Sequence, residues 1–588
     1  MSGTCSLTLK PTYGAHRCSL GRRPDARPTI HCPVRSEFPG GTLKIRRIGG
    51  LVAGLAVGAL ALAACSGGGT TASPSTAATT EAASSTGIVS AWGSEPQNPL
   101  IPTNTNEVGG GKIEDLIFAG LVYYDAKGAP HNDAAESIET TDSQNYTIKI
   151  KSGQKFTNGE PVTAKNFVDA WNYGAKLSNA QLSSYFFEGI EGFSYDADTE
   201  LTGLVVVDDT TFTVKLKQPE ADFPLRLGYS AFYPMPAEAL VSAESVTQYG
   251  EHPIGNGPYK VESDTAWNHN VSIDLIPNPD YTGDRKAQNG GVSIKFYTTV
   301  EAAYQDLLSG QLDVLDSVPN SAYATYKTDL GDRAINQPAA IFQSFTIPQN
   351  LEHFTGAEGN LRRQAISMSI NRQEVTDAIF QGTRTPAKDF TSPVIAGWSE
   401  TIKGSEVLDY NADEAKKLWA EADAIAPWSG TFTIGYNADG GHQAWVDAVT
   451  NSIKNTLGID AAGQSYPTFK ALRADVTART IKGAFRSGWQ ADYPSLYNFL
   501  GPLYGTGAGS NDGDYTNPKV DDLLKQGQAA SSVDAANKVF DQVQEILFQD
   551  LPAIPLWYSN VTGGSAETVS NVEFGWNSVP LLYQVHKS

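Results

Sequence analysis

The chain has 588 residues, too many for one compact core, and a formal net charge of −21. Residues 1–64 hold nine Lys/Arg against two Asp/Glu, so the rest of the chain is more acidic than the total. An acidic body of this kind repels phosphate backbones and anionic lipid, which argues against nucleic-acid binding.

Residues 1–43 are Arg/Pro-rich, unpatterned, and contain Cys5, Cys18 and Cys32. They read as an over-extended start rather than a domain. Lys44, Arg46 and Arg47 then lead into an uninterrupted apolar run, 48–64, rich in Gly and Ala. The run is marginal for a permanent membrane span. With basic residues before it and small residues at its end, 44–64 has the form of a secretory signal. Cys65 falls at the cut, and no cysteine follows it. Leu62-Ala63-Ala64-Cys65 resembles the lipobox of bacterial lipoproteins. That resemblance implies cleavage before Cys65, a diacylglycerol on its sulfur, and anchoring on the extracytoplasmic face of the cell membrane. Residues 66–87 lack apolar periodicity and read as a flexible tether of roughly 25 Å.

From Ile88 the texture is globular. Alternation predicts strands at 146–151, 211–217, 271–275 and 292–296, with a turn at 208–210 joining a hairpin. Thr163 is placed to cap a helix whose Phe167, Val168, Trp171 and Ala175 share a face. Further helices are predicted at 300–309, 361–368, 372–380, 411–425, 441–457 and 531–549. Strands and helices interleaved over this length predict α/β lobes with long-range connections.

Catalytic patterns are missing. The eight histidines have no HxxxH spacing, and no GxSxG occurs. GGGK at 109–112 lacks the first glycine of a phosphate loop and has Ile113 where Ser/Thr is required. GTGAGSNDG at 505–513 reads as a flexible loop. The sequence therefore points to binding rather than catalysis, with no cofactor and no metal site.

Six stretches carry a specific signal: KFTNGEPVTAKNFVDAW (155–171), HPIGNGPYKV (252–261), LRRQAISMSINRQEV (361–375), GWQADYPSLYNFL (488–500), NDGDYTNPKVDDLL (511–524) and LPAIPLWY (551–558). In this order they resemble the extracytoplasmic solute-binding proteins of ABC importers, family 5, the oligopeptide/dipeptide/nickel group. Ser369 and Asn371 stand where that family usually has alanine and aspartate. The resemblance implies a two-lobed periplasmic-binding-protein-like α/β fold (type II, cluster C). Lobe 1 would take 88–338 and 556–588, with an extra subdomain at about 124–204, and lobe 2 would take 339–555. The crossings would lie near 339–345 and 555–558. The implied partners are a short peptide and the permease and ATPase subunits of an importer, with the receptor a monomer. Gly255 and Gly257 are expected to supply turn conformations, and Arg362 and Arg372 to form internal ion pairs.

In peptide-binding members the acid of the ADY element pairs with the ligand's α-ammonium group, and Asp492 holds that position. A carboxylate in a closing cleft attracts such a charge more strongly than in water. Arg486 matches a position that reaches the ligand's terminal carboxylate in some members. Trp489 and Tyr493 would exclude water, and backbone groups of Gly488 and Gln490 would hydrogen-bond an extended peptide. Asn106 and Glu107, in the polar stretch 104–111, would line the opposite wall, and Trp557 and Tyr558 would be walls at the return crossing. Other readings stay open: Asp492 bonding its own turn, Arg486 pairing elsewhere in the protein, Trp489 as core. The same fold could instead take an oligosaccharide, a nickel chelate or haem.

Overall fold

The computed structural model describes residues 86–588 apart from Thr468. The expected signal segment, Cys65 and nearly all of the tether lie outside the described residues. Among those described, no helix is long and apolar enough to cross a membrane.

The local patterns become elements where burial enforces them. Asn145–Ile150 alternates buried Tyr146, Ile148 and Ile150 with exposed neighbours. It is an inner strand of a four-stranded antiparallel sheet. The Leu204–Asp208 and Thr211–Lys215 strands form its hairpin, closed by Thr210, whose N and Oγ1 donate to Asp208 Oδ1 (2.8 and 2.9 Å). This sheet takes residues 135–215, past the residue 204 at which the subdomain was expected to end. Helix Ala164–Ala175 covers it, with Phe167 and Trp171 packed on Phe212. Thr163 N and Oγ1 donate to Asn166 Oδ1 and so fix the helix start (2.8 and 2.7 Å).

A twelve-stranded mixed sheet runs through the rest of the body. Six elements position the site: β1 (Ile88–Gly93), α1 (Val108–Ile117), β2 (Ala334–Thr346), β3 (Ala484–Gln490), α2 (Leu496–Tyr504), which follows β3, and β4 (Ala553–Ser565). β2 and β4 are antiparallel partners of 13 residues each. Ala334–Pro338 pairs with 560–564. After a register shift, Phe342–Thr346 pairs with 553–558. Beyond these strands the sheet continues towards β1 on one side and β3 on the other.

Two hydrophobic cores flank this pair. One gathers Val89, Ile113, Ile117, Ile273, Val292 and Ile294. The other gathers Phe342, Phe345, Phe499, Leu500, Ile554 and Leu556. Tyr304, Leu307, Tyr326 and Leu330 pack with the second core, although they precede β2 in the chain.

Glycines 109–111 lie in the first turn of helix α1, and Lys112 follows them. Its Nζ pairs with Asp316 at 2.6 Å and donates to Trp92 O at 2.9 Å. Gly255 and Gly257 are required by close approach rather than by turn geometry. A Cβ would sit 1.8 Å from Ile117 O at the first and 2.6 Å from Phe118 N at the second. Arg362 does form the expected ion pairs, with Glu358 (2.9 Å) and Asp423 (3.1 Å). Arg372 does not. It donates to the carbonyls of Pro555, Ser367 and Leu408, and burial pulls its guanidinium down to about 9.

Candidate functional site

The segment after β3 is shaped by Asn498 of α2. Its Oδ1 accepts from Asp492 N (2.9 Å) and from Trp489 Nε1 (3.0 Å), and its Nδ2 donates to Asp492 Oδ2 (3.0 Å). The turn is therefore tied by Asn498, and the Asp492 carboxylate is held by that side chain rather than by its own turn backbone. Burial pushes the carboxyl up to about 6, and the Asn498 bond offsets part of that rise. Among the described residues Asp492 has no ion-pair partner.

Asp492 faces a cavity of about 250 Å³ whose lining also includes Asn106, Glu107, Asp115, Tyr124, Tyr229, Gln490 and Trp576. Glu107 is the N-cap of α1, accepting from Gly110 N at 2.9 Å. Asp115 accepts from Tyr233 Oη at 2.7 Å, and burial raises its carboxyl. Behind it, burial raises fully enclosed Glu114 to about 8, with Thr105 Oγ1 donating at 2.7 Å. The C-terminal tail closes the cavity: Ala340 N donates to Trp576 O (2.7 Å) and Gln490 Nε2 to Asn577 O (3.1 Å).

A second cavity of about 220 Å³ lies farther back along β3 and is lined by Arg486, Gly488 and Trp489 with Phe469, Arg473 and Asp512. Arg486 Nε donates to Asn437 Oδ1 (2.8 Å), and its guanidinium lies 4.8 Å from the Phe469 ring. Between the cavities β3 has an edge that is open among the described residues. It pairs with β2 from Phe485 to Gln490, but with the Thr431–Asn437 strand only at Ala484 and Phe485. Such an edge can take an added strand.

The structure thus divides the sequence-predicted residues. Asp492, Gln490, Asn106 and Glu107 share the first cavity, while Arg486, Gly488 and Trp489 share the second. Tyr493 lines neither. It is 4% exposed and packs 5.4 Å from the Arg226 guanidinium. Trp557 and Tyr558, each 1% exposed, are core residues rather than walls. Trp557 packs on Trp445 and Phe380. Tyr558 donates to Asp389 Oδ1 at 2.8 Å. The reason is that β4 is covered on both faces from Ala553 to Tyr558, so alternation turns neither residue outward. Sequence reasoning missed Asp115, Tyr124, Tyr229, Trp576 and Asn498. Only Asn498 lay within a motif, and nothing about its type marks it as the organiser of the turn.

Two cores joined by a pair of crossing strands, with cavities opening beside that junction, describe a two-lobed α/β protein with room for a ligand. Residues 129–511 match the model of bacterial extracellular solute-binding proteins, family 5, middle region, and the chain belongs to that family. It is 25% identical over 537 residues to the oligopeptide-binding protein OppA of Bacillus subtilis, covering 87% of this chain and 94% of the relative. Among solved structures, the Escherichia coli murein tripeptide-binding protein MppA superposes with a TM-score of 0.70 at 22% identity, covering 85% of this chain and 98% of its own. The Helicobacter pylori ABC transporter-associated binding protein DppA, in complex with the peptide STSA, gives 0.69 at 20% identity, with 85% and 98% covered.

Proposed function

We propose that this protein captures short peptides between its lobes and delivers them to an ABC importer, held to the extracytoplasmic face of the membrane by lipid on Cys65. The lobes in this reading are 88–338 with 556–588, and 339–555, hinged where β2 and β4 cross. The observation that carries it is Asp492: a carboxylate with one neutral hydrogen-bond partner, facing a cavity at the end of an open strand edge. A peptide brings an α-ammonium for the carboxylate and a main chain for the edge. Arg486, in the second cavity, offers a guanidinium to the other end. An oligosaccharide or a haem has no fixed cation for Asp492. The peptide-bound DppA relative supports the same ligand class.

The test is thermal unfolding with a mixed short-peptide pool, the same pool N-acetylated, and oligosaccharides. Free peptides at about 100 times Kd should stabilise the protein by about 2.7 kcal/mol. Acetylated peptides that stabilise equally would remove Asp492 from ammonium recognition. A shift with oligosaccharides alone would replace the ligand class.

A further inference from the structure

The first cavity holds more negative charge than one α-ammonium needs. Its two cations are already engaged: Lys112 with Asp316 at 2.6 Å, and Arg285 with Asp133 at 2.7 Å. Two of its acids are also engaged. Glu107 caps α1, and Asp125 accepts from the backbone N of Lys127 and Ala129 (2.9 Å each). Asp115 and Asp492 remain, each with one hydrogen-bond donor on its carboxylate, the Tyr233 hydroxyl and the Asn498 amide; Arg285, committed to Asp133, also acts on Asp115 through its charge. Tyr124 and Tyr229 line the same cavity as both carboxylates. The cavity thus offers aromatic walls beside two acids, suited to an aliphatic stem that ends in a cation.

We infer that Asp115 is a specificity-determining residue that selects ligands whose first residue has a cationic side chain. The ligand's α-ammonium would go to Asp492, its side-chain cation to Asp115, and its methylenes along Tyr124 and Tyr229. This rests on the peptide reading given above. A ligand with two positive charges at one end offers a partner to each of these acids, whereas a neutral first side chain leaves Asp115 desolvated with only the charge of Arg285, which Asp133 already engages.

Calorimetric titration of the purified protein tests it with three peptide series, Lys-, norleucine- and Ala-initiated, each continued by two or four alanines. Norleucine matches the lysine stem without its charge. The Lys series should bind about ten-fold or more tighter than the norleucine series, as expected for a hydrogen bond to a charged group. Asp115→Asn should bring that ratio close to one, and Asp115→Glu should retain it. A norleucine series that binds as tightly as the Lys series in the unmodified protein overturns the inference, as does a ratio that survives Asp115→Asn. If all three series bind without preference, the peptide reading stands and this inference falls. If no series binds, both fall.

Discussion

Asp492 holds its proton more tightly than an ordinary carboxyl. Burial lifts it to about 6, above the ordinary carboxylate range, against the opposing hydrogen bond from Asn498. Between about pH 4 and pH 6 the folded protein keeps a proton there that the unfolded chain has released. The group's burial penalty is therefore absent below that window and fully present above it. A ligand ammonium favours the ionised form, so binding must expel the proton at low pH. For tri-alanine, which has no side chain to engage Asp115, affinity should be flat from pH 6.5 to 7.5. Below about pH 6 it should weaken, approaching ten-fold per unit. Titrations in buffers of different ionisation enthalpy would register the released proton. Asp492→Asn should flatten the profile and cost about 2–5 kcal/mol of affinity. Unchanged affinity would return Asp492 to a structural role in the turn.

At the scale of elements, β3 is the piece that the sequence concealed. Its residues, AFRSGWQ, neither alternate nor contain a β-branched side chain, so no strand period is visible. It is a strand because β2 pairs with it through six residues, a long-range fact that no local window carries. Helix α1 was hidden differently. Three glycines in its first turn read as a loop, yet Gly109 and Gly110 are needed because a Cβ would fall within 2.6 Å of Ser94 Oγ or Glu107 Oε1. By contrast, the helices at 372–380, 412–425, 443–457 and 533–550 and the 145–150 strand stood out through their periodicity. The candidate site was legible where a motif named it, at Asp492, and illegible where distant segments meet, at Asp115 and Trp576. Gly488 tests how tightly β3 is held to β2. A Cβ there would lie 2.8 Å from Phe342 O, a backbone atom that cannot swing aside. Gly488→Val should lower stability by about 1–3 kcal/mol, read from denaturant unfolding, because the strand pair must spread. It should also weaken peptide binding, since the open edge moves with it. Wild-type stability and affinity would mean that β3 tolerates the spread.

At the scale of the whole molecule, the binding segment is braced by a buried ionic contact between distant parts of the chain. Arg226 lies between Glu220 (2.7 Å) and Asp222 (3.0 Å), and its guanidinium is 5.4 and 5.7 Å from the rings of Tyr493 and Tyr497. Ser495 Oγ donates to Asp222 Oδ2 (3.0 Å), and Ala221 N donates to Gln528 O (2.7 Å). Segment 218–226 is thereby fastened to the residues that immediately follow Asp492, and the Tyr493 ring is fixed as a lid on the arginine rather than as a cavity wall. Burial raises the Glu220 carboxyl, while Arg226 acts against that rise. Replacing the arginine by methionine keeps the stem but leaves Glu220 and Asp222 without their counter-charge. Arg226→Met should cost about 3–5 kcal/mol of stability, the usual penalty for breaking one side of a buried pair. Adding Glu220→Gln should recover part of that loss, with a coupling of about 0.5–3 kcal/mol in a double-mutant cycle. The two losses adding independently would show that the arginine contributes through packing on the tyrosines and not through charge. If the brace positions Asp492, the recovered double variant should still bind peptide less tightly than the wild type, because charge balance returns while the hold of Arg226 on Tyr493 does not.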